Sequence, residues 1–92
     1  MTTAIILIKC ASMKLEGINQ FLLEQPGVRQ VYSVAGNFDL VAIVEASSNE
    51  LVAQLVTQKI HRLDGVQDTD TMFAFASCSS KDMEAMFDVG NE

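Results

Sequence analysis

Tryptophan is absent from this 92-residue chain, proline and histidine each occur once, cysteine occurs twice, and lysine and arginine together number six. Each scarcity excludes something. Phosphate recognition needs a concentrated basic patch, and six scattered cations against twelve acids, a net charge of −6, leave no direct nucleic-acid contact to expect. The lone histidine, His61, sits between Lys59 and Arg62 in a helical stretch, the setting of a solvated face and not of a general base. Cys10 and Cys78 fall near opposite ends of what read as paired antiparallel strands, roughly 30 Å apart at strand rise. No intrachain disulfide is expected. Neither CxxC nor a Cys/His cluster occurs, so free thiols, no metal and no cofactor are the expectation. Gly27, Gly36 and Gly65 lie in three separate turns and form no phosphate-cradling cluster. No run of about twenty apolar residues exists to cross a bilayer, and Ala4 to Ile8 is too short and lacks the preceding basic region of a signal peptide. A cytoplasmic protein without a membrane partner is expected.

Hydrophobic residues make up 49% of the chain and there is no low-complexity run, so a single folded module is predicted. Thr3 to Lys9 is a nearly continuous isoleucine-rich apolar run, the mark of a strand buried on both faces. Ser12 is placed to cap a helix in which Leu15, Ile18 and Leu22 recur at helical spacing until Pro26-Gly27. Val28 to Ala35 and Phe38 to Ala46 carry strand-forming residues, and the two-residue gap Gly36-Asn37 predicts a primed hairpin turn. Ser47 to Glu50 reads as a capping box for a second helix with an apolar stripe of Leu51, Val52, Leu55, Val56, Ile60 and Leu63, ended by Asp64-Gly65. Val66 to Ala76 alternates as a fourth strand, Thr69, Thr71, Phe73 and Phe75 on one face and Asp68, Asp70, Met72 and Ala74 on the other.

The order is βαββαβ. Right-handed crossovers then give an α+β, ferredoxin-like sandwich: a four-stranded antiparallel sheet, strands one and three central, with both helices on one face. The central strands are nevertheless apolar on both sides, since Leu40, Ala42 and Val44 alternate with Val41 and Ile43. A face of that kind calls for a second subunit, and a homodimer is predicted. Residues 1–77 form the predicted domain and 78–92 a tail, in which Ser80 could cap a short helix bearing Met83, Met86 and Phe87 that docks on an adjacent subunit.

The polar features left for function are few. Asp64, Asp68 and Asp70 straddle a helix end and a strand start, the pattern of a solvated acidic edge. Chain tracing brings the segment Ala35 to Asp39 and the strand Thr69 to Thr71 to the same end of the sheet. Gly36 and Asn37 satisfy the positive φ of a tight turn, while exposed turn N–H groups and the Asp39 carboxylate could bind the carboxylate and ammonium of an amino acid.

The run Gly27-Val28, Val31 to Glu45, Lys59-Ile60, Gly65-Val66 and Thr69 to Thr71 closely resembles the effector-binding, or RAM, domain of the Lrp/AsnC family of prokaryotic transcription regulators. The resemblance spans residues 3 to 77 and rests on a Gly-x-Phe/Tyr-Asp loop with a Thr-x-Thr strand. It implies dimeric α/β-barrel architecture, dimers that assemble into octameric or decameric rings, and amino-acid effectors held between neighbouring dimers. By the same resemblance, Gly36, Asn37, Phe38 and Asp39 correspond to the effector loop, and Thr69 and Thr71 to the strand lining the pocket. Full-length members carry an N-terminal helix-turn-helix domain, whereas strand one here starts at Thr3, so a stand-alone, non-enzymatic effector-binding domain is expected, one that could modulate a full-length Lrp/AsnC-type regulator. Two alternatives stay beside it: a dimeric α/β-barrel enzyme such as a small monooxygenase, and a structural partner subunit with no ligand.

Overall fold

The structure is a computed structural model and describes residues 1–75. Strand β1 (Thr2–Cys10) leads through a 3-10 turn (Ser12–Lys14) into helix α1 (Leu15–Leu23); β2 (Val28–Ser33) and β3 (Leu40–Ala46) follow. Helix α2 (Asn49–Gln54) continues through a π-helical segment (Leu55–Lys59) and a 3-10 turn (Ile60–Arg62) to β4 (Val66–Ala74). Among the described residues the four strands form one antiparallel sheet in the order β2-β3-β1-β4, with β1 and β3 central as expected.

Alternation along the central strands separates two faces. Ala4, Ile6 and Ile8 of β1 and Leu40, Ala42 and Val44 of β3 are fully or almost fully buried. They pack under Ile18 and Leu22 of α1 and under Val52, Leu55, Val56 and Ile60 of the second helical stretch, one continuous core that drives folding by removing apolar surface from water. The other face carries Ile5 and Leu7, which stand opposite Ile43 and Val41 of β3, and Ile5 also stands opposite Met72 of β4. Tyr32 extends that surface across β2, opposite Val41. Tyr32 is 50% exposed and Met72 44%, so this apolar face lies open on the isolated chain. Lys9 opposite Asp68, Thr3 opposite Glu45, and Asp70 beside Leu7 give it a polar rim.

The irregular second helix has a packing reason. In a uniform α-helix Ile60 would sit at the margin of the stripe formed by Val52, Leu55 and Val56; the widened turn, in which the Ile60 N–H reaches the Leu55 and Val56 carbonyls, swings it onto that stripe, where it is fully buried. Leu51, assigned to the same stripe from sequence, is 48% exposed instead. The helix is capped by Ser48, whose hydroxyl accepts from the Leu51 N–H at 3.3 Å. Ser48 at the cap puts Glu50 one place short of the N3 position that a reciprocal capping box requires, so the expected Ser47 pairing does not form. Nor does Ser12 cap α1: the helix is entered through the 3-10 turn, whose cap residue Ala11 has no side-chain acceptor.

The expected two-residue hairpin is also corrected. Strand β2 ends at Ser33 and β3 begins at Leu40, leaving a six-residue loop, Val34 to Asp39, closed by the Val34 N–H donating to the Asp39 carbonyl at 2.9 Å. Gly36 alone in it takes positive φ (+131°), and the departure from a two-residue primed turn lies in the length of the loop. The proposed tail helix at Ser80, Met83, Met86 and Phe87, together with Cys78, lies outside the described residues.

Candidate functional site

One rung of the sheet organises the predicted site. Ser33, Leu40, Ile8 and Thr69 stand opposite one another across β2, β3, β1 and β4. The Val34 to Asp39 loop rises from the β2–β3 side of this rung and Thr69 lies on its β4 side, with β1 between them. The sheet thus brings Gly36, Asn37, Phe38 and Asp39 to the same end as Thr69, with Thr71 two residues further along β4. Loop and strand flank β1 on opposite sides and do not close on one another within the chain.

Asp39 is bound into the scaffold more firmly than its sequence setting indicates. Its N–H donates to the Ile8 carbonyl at 2.9 Å, and its Oδ2 accepts the N–H of Cys10 at 3.0 Å. These two bonds continue the β1–β3 ladder beyond Leu40 and fasten the loop to the end of β1. One carboxylate oxygen is therefore occupied within the chain. The Cys10 thiol, nearly buried on the helix side, is pushed above its ordinary value by desolvation and, secondarily, by the Asp39 charge. Phe38 is half-buried, while Gly36 and Asn37 are exposed at the loop crest.

On β4, the register places Thr69 opposite Ile8 and Thr71 opposite Ile6, so both hydroxyls belong to the helix-covered face, at its edge. A register shift between Lys9 and Cys10 leaves Gln67 as an extra residue on β4, because Asp68 pairs with Lys9 and Val66 with Cys10. Such bulges re-aim neighbouring side chains. Beside it, His61 Nε2 lies 2.7 Å from Thr69 Oγ1, a contact that sequence reasoning missed when it read His61 as solvated only. The hint available was its place in the last helical turn before the Thr-x-Thr strand. His61, Val66, Gln67, Asp68 and Thr69 line a polar, open cleft of about 310 Å³. A second open cleft of about 310 Å³, mainly apolar, lies at the other end of the sheet between Pro26, Gly27, Val44, Leu51 and Leu55.

The acidic residues behave as an edge. Asp64 pairs with Lys14 at 3.1 Å between exposed side chains, and Asp68 Oδ1 accepts from the Thr69 N–H at 2.9 Å. Among the described residues no three His, Cys, Asp or Glu side chains are grouped to hold a metal ion, and no helix is long and apolar enough to cross a membrane.

Comparison with known proteins matches this arrangement. The family model described as the Lrp/AsnC ligand binding domain matches residues 3–84. An uncharacterised HTH-type transcriptional regulator from Pyrococcus horikoshii is 34% identical over 79 residues, covering 83% of this chain and 53% of the relative. The chain thus spans about half the length of the curated relatives it matches. The crystal structure of TTHA0845 from Thermus thermophilus superposes with a TM-score of 0.81 at 38% identity, covering 86% of this chain and 99% of that one. The transcriptional regulator NMB0573 from Neisseria meningitidis, solved as a complex with L-Met, shares the fold at a TM-score of 0.77 and 18% identity, over 85% of this chain and 52% of its own. The chain belongs to the Lrp/AsnC ligand binding domain family.

Proposed function

We propose that this chain is an oligomeric sensor of a free amino acid or a closely related small molecule. The effector is held by the loop Gly36, Asn37, Phe38 and Asp39 of one copy and by the strand carrying Thr69 and Thr71 of another. The observation that carries this reading is the shared rung: family membership supplies the ligand-binding role, and the sheet register brings both motifs to one end without joining them in a single chain. Loop N–H groups suit a carboxylate, and the free Asp39 oxygen suits an ammonium group. The L-Met complex of NMB0573 supports an amino acid as the kind of ligand this fold accepts.

The open face of Ile5, Leu7, Val41, Ile43, Tyr32 and Met72 supports a homodimer in which two sheets stack, since apolar patches of this continuity are seldom left in water. Dimers then assemble into an octamer or decamer, and the assembly modulates a full-length Lrp/AsnC-type regulator by mixing subunits with it. A thermal-shift screen of the twenty amino acids tests the sensor role. A ligand at a hundred times its Kd adds about 2.7 kcal/mol to stability. Thr71→Val is the better control than a change at Asp39, because Asp39 also secures the loop. An unshifted melting temperature with every amino acid would leave the ligand-free partner role in its place.

A further inference from the structure

We propose that His61 is the specificity-determining residue of the polar cleft, acting through Thr69 to decide whether the cleft offers a donor or an acceptor to the side chain of a bound amino acid. The inference rests on the reading of Thr69 as part of an effector site and deepens it.

The 2.7 Å contact between His61 Nε2 and Thr69 Oγ1 has two possible polarities. With a neutral imidazole whose Nε2 is unprotonated, the threonine hydroxyl must donate its single proton to the ring, and Thr69 then presents only lone pairs to the cleft. When Nε2 carries a proton, as in one neutral tautomer and always in the protonated ring, Nε2–H donates to Oγ1 and frees the hydroxyl proton; full protonation fixes this polarity and sets a positive charge beside Thr69. A carboxylate is repelled by the first arrangement and welcomed by the second; a carboxamide, holding both a donor and an acceptor, fits either.

The surroundings serve this role. His61 sits on the 3-10 turn that packs against β4, so its charged neighbours are Lys59 and Arg62 on its own stretch and Asp68 on β4. Asp64 is engaged by Lys14. Gln67, turned out of the ladder by the bulge, adds a further amide to the cleft wall, and Val66 is the sole apolar side chain among its lining residues. A cleft with this lining reads polarity and charge, not aliphatic bulk.

The experiment is calorimetric binding of the twenty L-amino acids to the whole protein at about pH 6 and pH 8, comparing the near-isosteric pairs glutamate with glutamine and aspartate with asparagine. The expected result is that the acid-to-amide affinity ratio of at least one pair rises about tenfold on acidification. His61→Gln, a neutral change at an exposed position, should flatten that pH profile, and Thr69→Val should flatten it too. A ratio independent of pH in the wild-type protein, a pH profile retained by His61→Gln, or binding confined to amino acids outside these pairs would overturn the inference and leave the effector site standing. Absence of binding by all twenty would overturn the effector site and this inference together.

Discussion

Asp39 and Cys10 are joined across the end of the sheet by a 3.0 Å hydrogen bond from the Cys10 N–H to the Asp39 carboxylate, while the Asp39 N–H returns to the Ile8 carbonyl. Because the side chain acts as a surrogate rung, Asp39→Ala should lower stability by about 1–3 kcal/mol through the loss of a charge-assisted bond to a backbone donor. Asp39→Asn, which keeps an acceptor, should recover part of that loss. Urea unfolding followed by circular dichroism measures both.

The same pair governs thiol chemistry. Burial, and then the Asp39 charge, hold the Cys10 thiol above 9.0, so in a Cys78→Ser background iodoacetamide should label it more slowly near pH 8.5 than a free cysteine. Asp39→Asn should quicken labelling only in part, because desolvation is the larger cause. The linkage has a definite sign. The unfolded thiol ionises near 9.0 and the folded one higher, so the contribution to stability is whole below that value and is lost as pH rises from it toward the folded pKa. Cys10→Ala should remove that part of the alkaline slope.

Gly27 is constrained by both conformation and space. Its φ is +90°, and a Cβ there would lie 2.7 Å from the Glu45 carbonyl oxygen, next to the bond from the Glu45 N–H to the Gly27 carbonyl at 2.8 Å. Gly27→Ala should therefore destabilise by at least about 1–2 kcal/mol, the cost of the left-handed backbone alone. A midpoint in urea matching the wild type would contradict this.

On the proposed sheet-to-sheet dimer, Leu7→Asp places a carboxylate where the partner's apolar face would lie. An unpaired buried charge costs several kcal/mol, so the dissociation constant of the dimer should rise roughly a hundredfold or more, about 3 kcal/mol of lost affinity. Sedimentation should then show a species near 10.0 kDa, while the wild-type protein sediments as a larger one.

The parts of this fold that were legible from sequence are those decided by local pattern. The continuous apolar runs from Ala4 to Ile8 and from Leu40 to Val44 marked the central strands as apolar on both faces, and the turn glycines Gly27 and Gly65 marked the ends of the helical stretches. What escaped depends on contacts remote in the chain. Gly36-Asn37 has the composition of a two-residue turn, yet Asp39 is drawn out of the hairpin by its bonds to Ile8 and Cys10, which lengthens the loop to six residues. The cap moved from Ser47 to Ser48 because the entry to α2 follows the end of β3, and Ile60 reached the core only through a widened turn that periodicity alone does not foresee. In the site, the Thr69 register was readable from alternation, whereas its contact with His61 depends on how the 3-10 turn packs against β4.

Strand β1 keeps the loop and Thr69 about two strand spacings apart, roughly 10 Å, in every copy. On the proposed reading each copy contributes one jaw to each of two pockets and completes neither alone. Ligand saturation then depends on protein concentration as well as ligand concentration, and dilution below the assembly threshold abolishes the response even when effector is plentiful. Such a sensor reports its own abundance along with the nutrient.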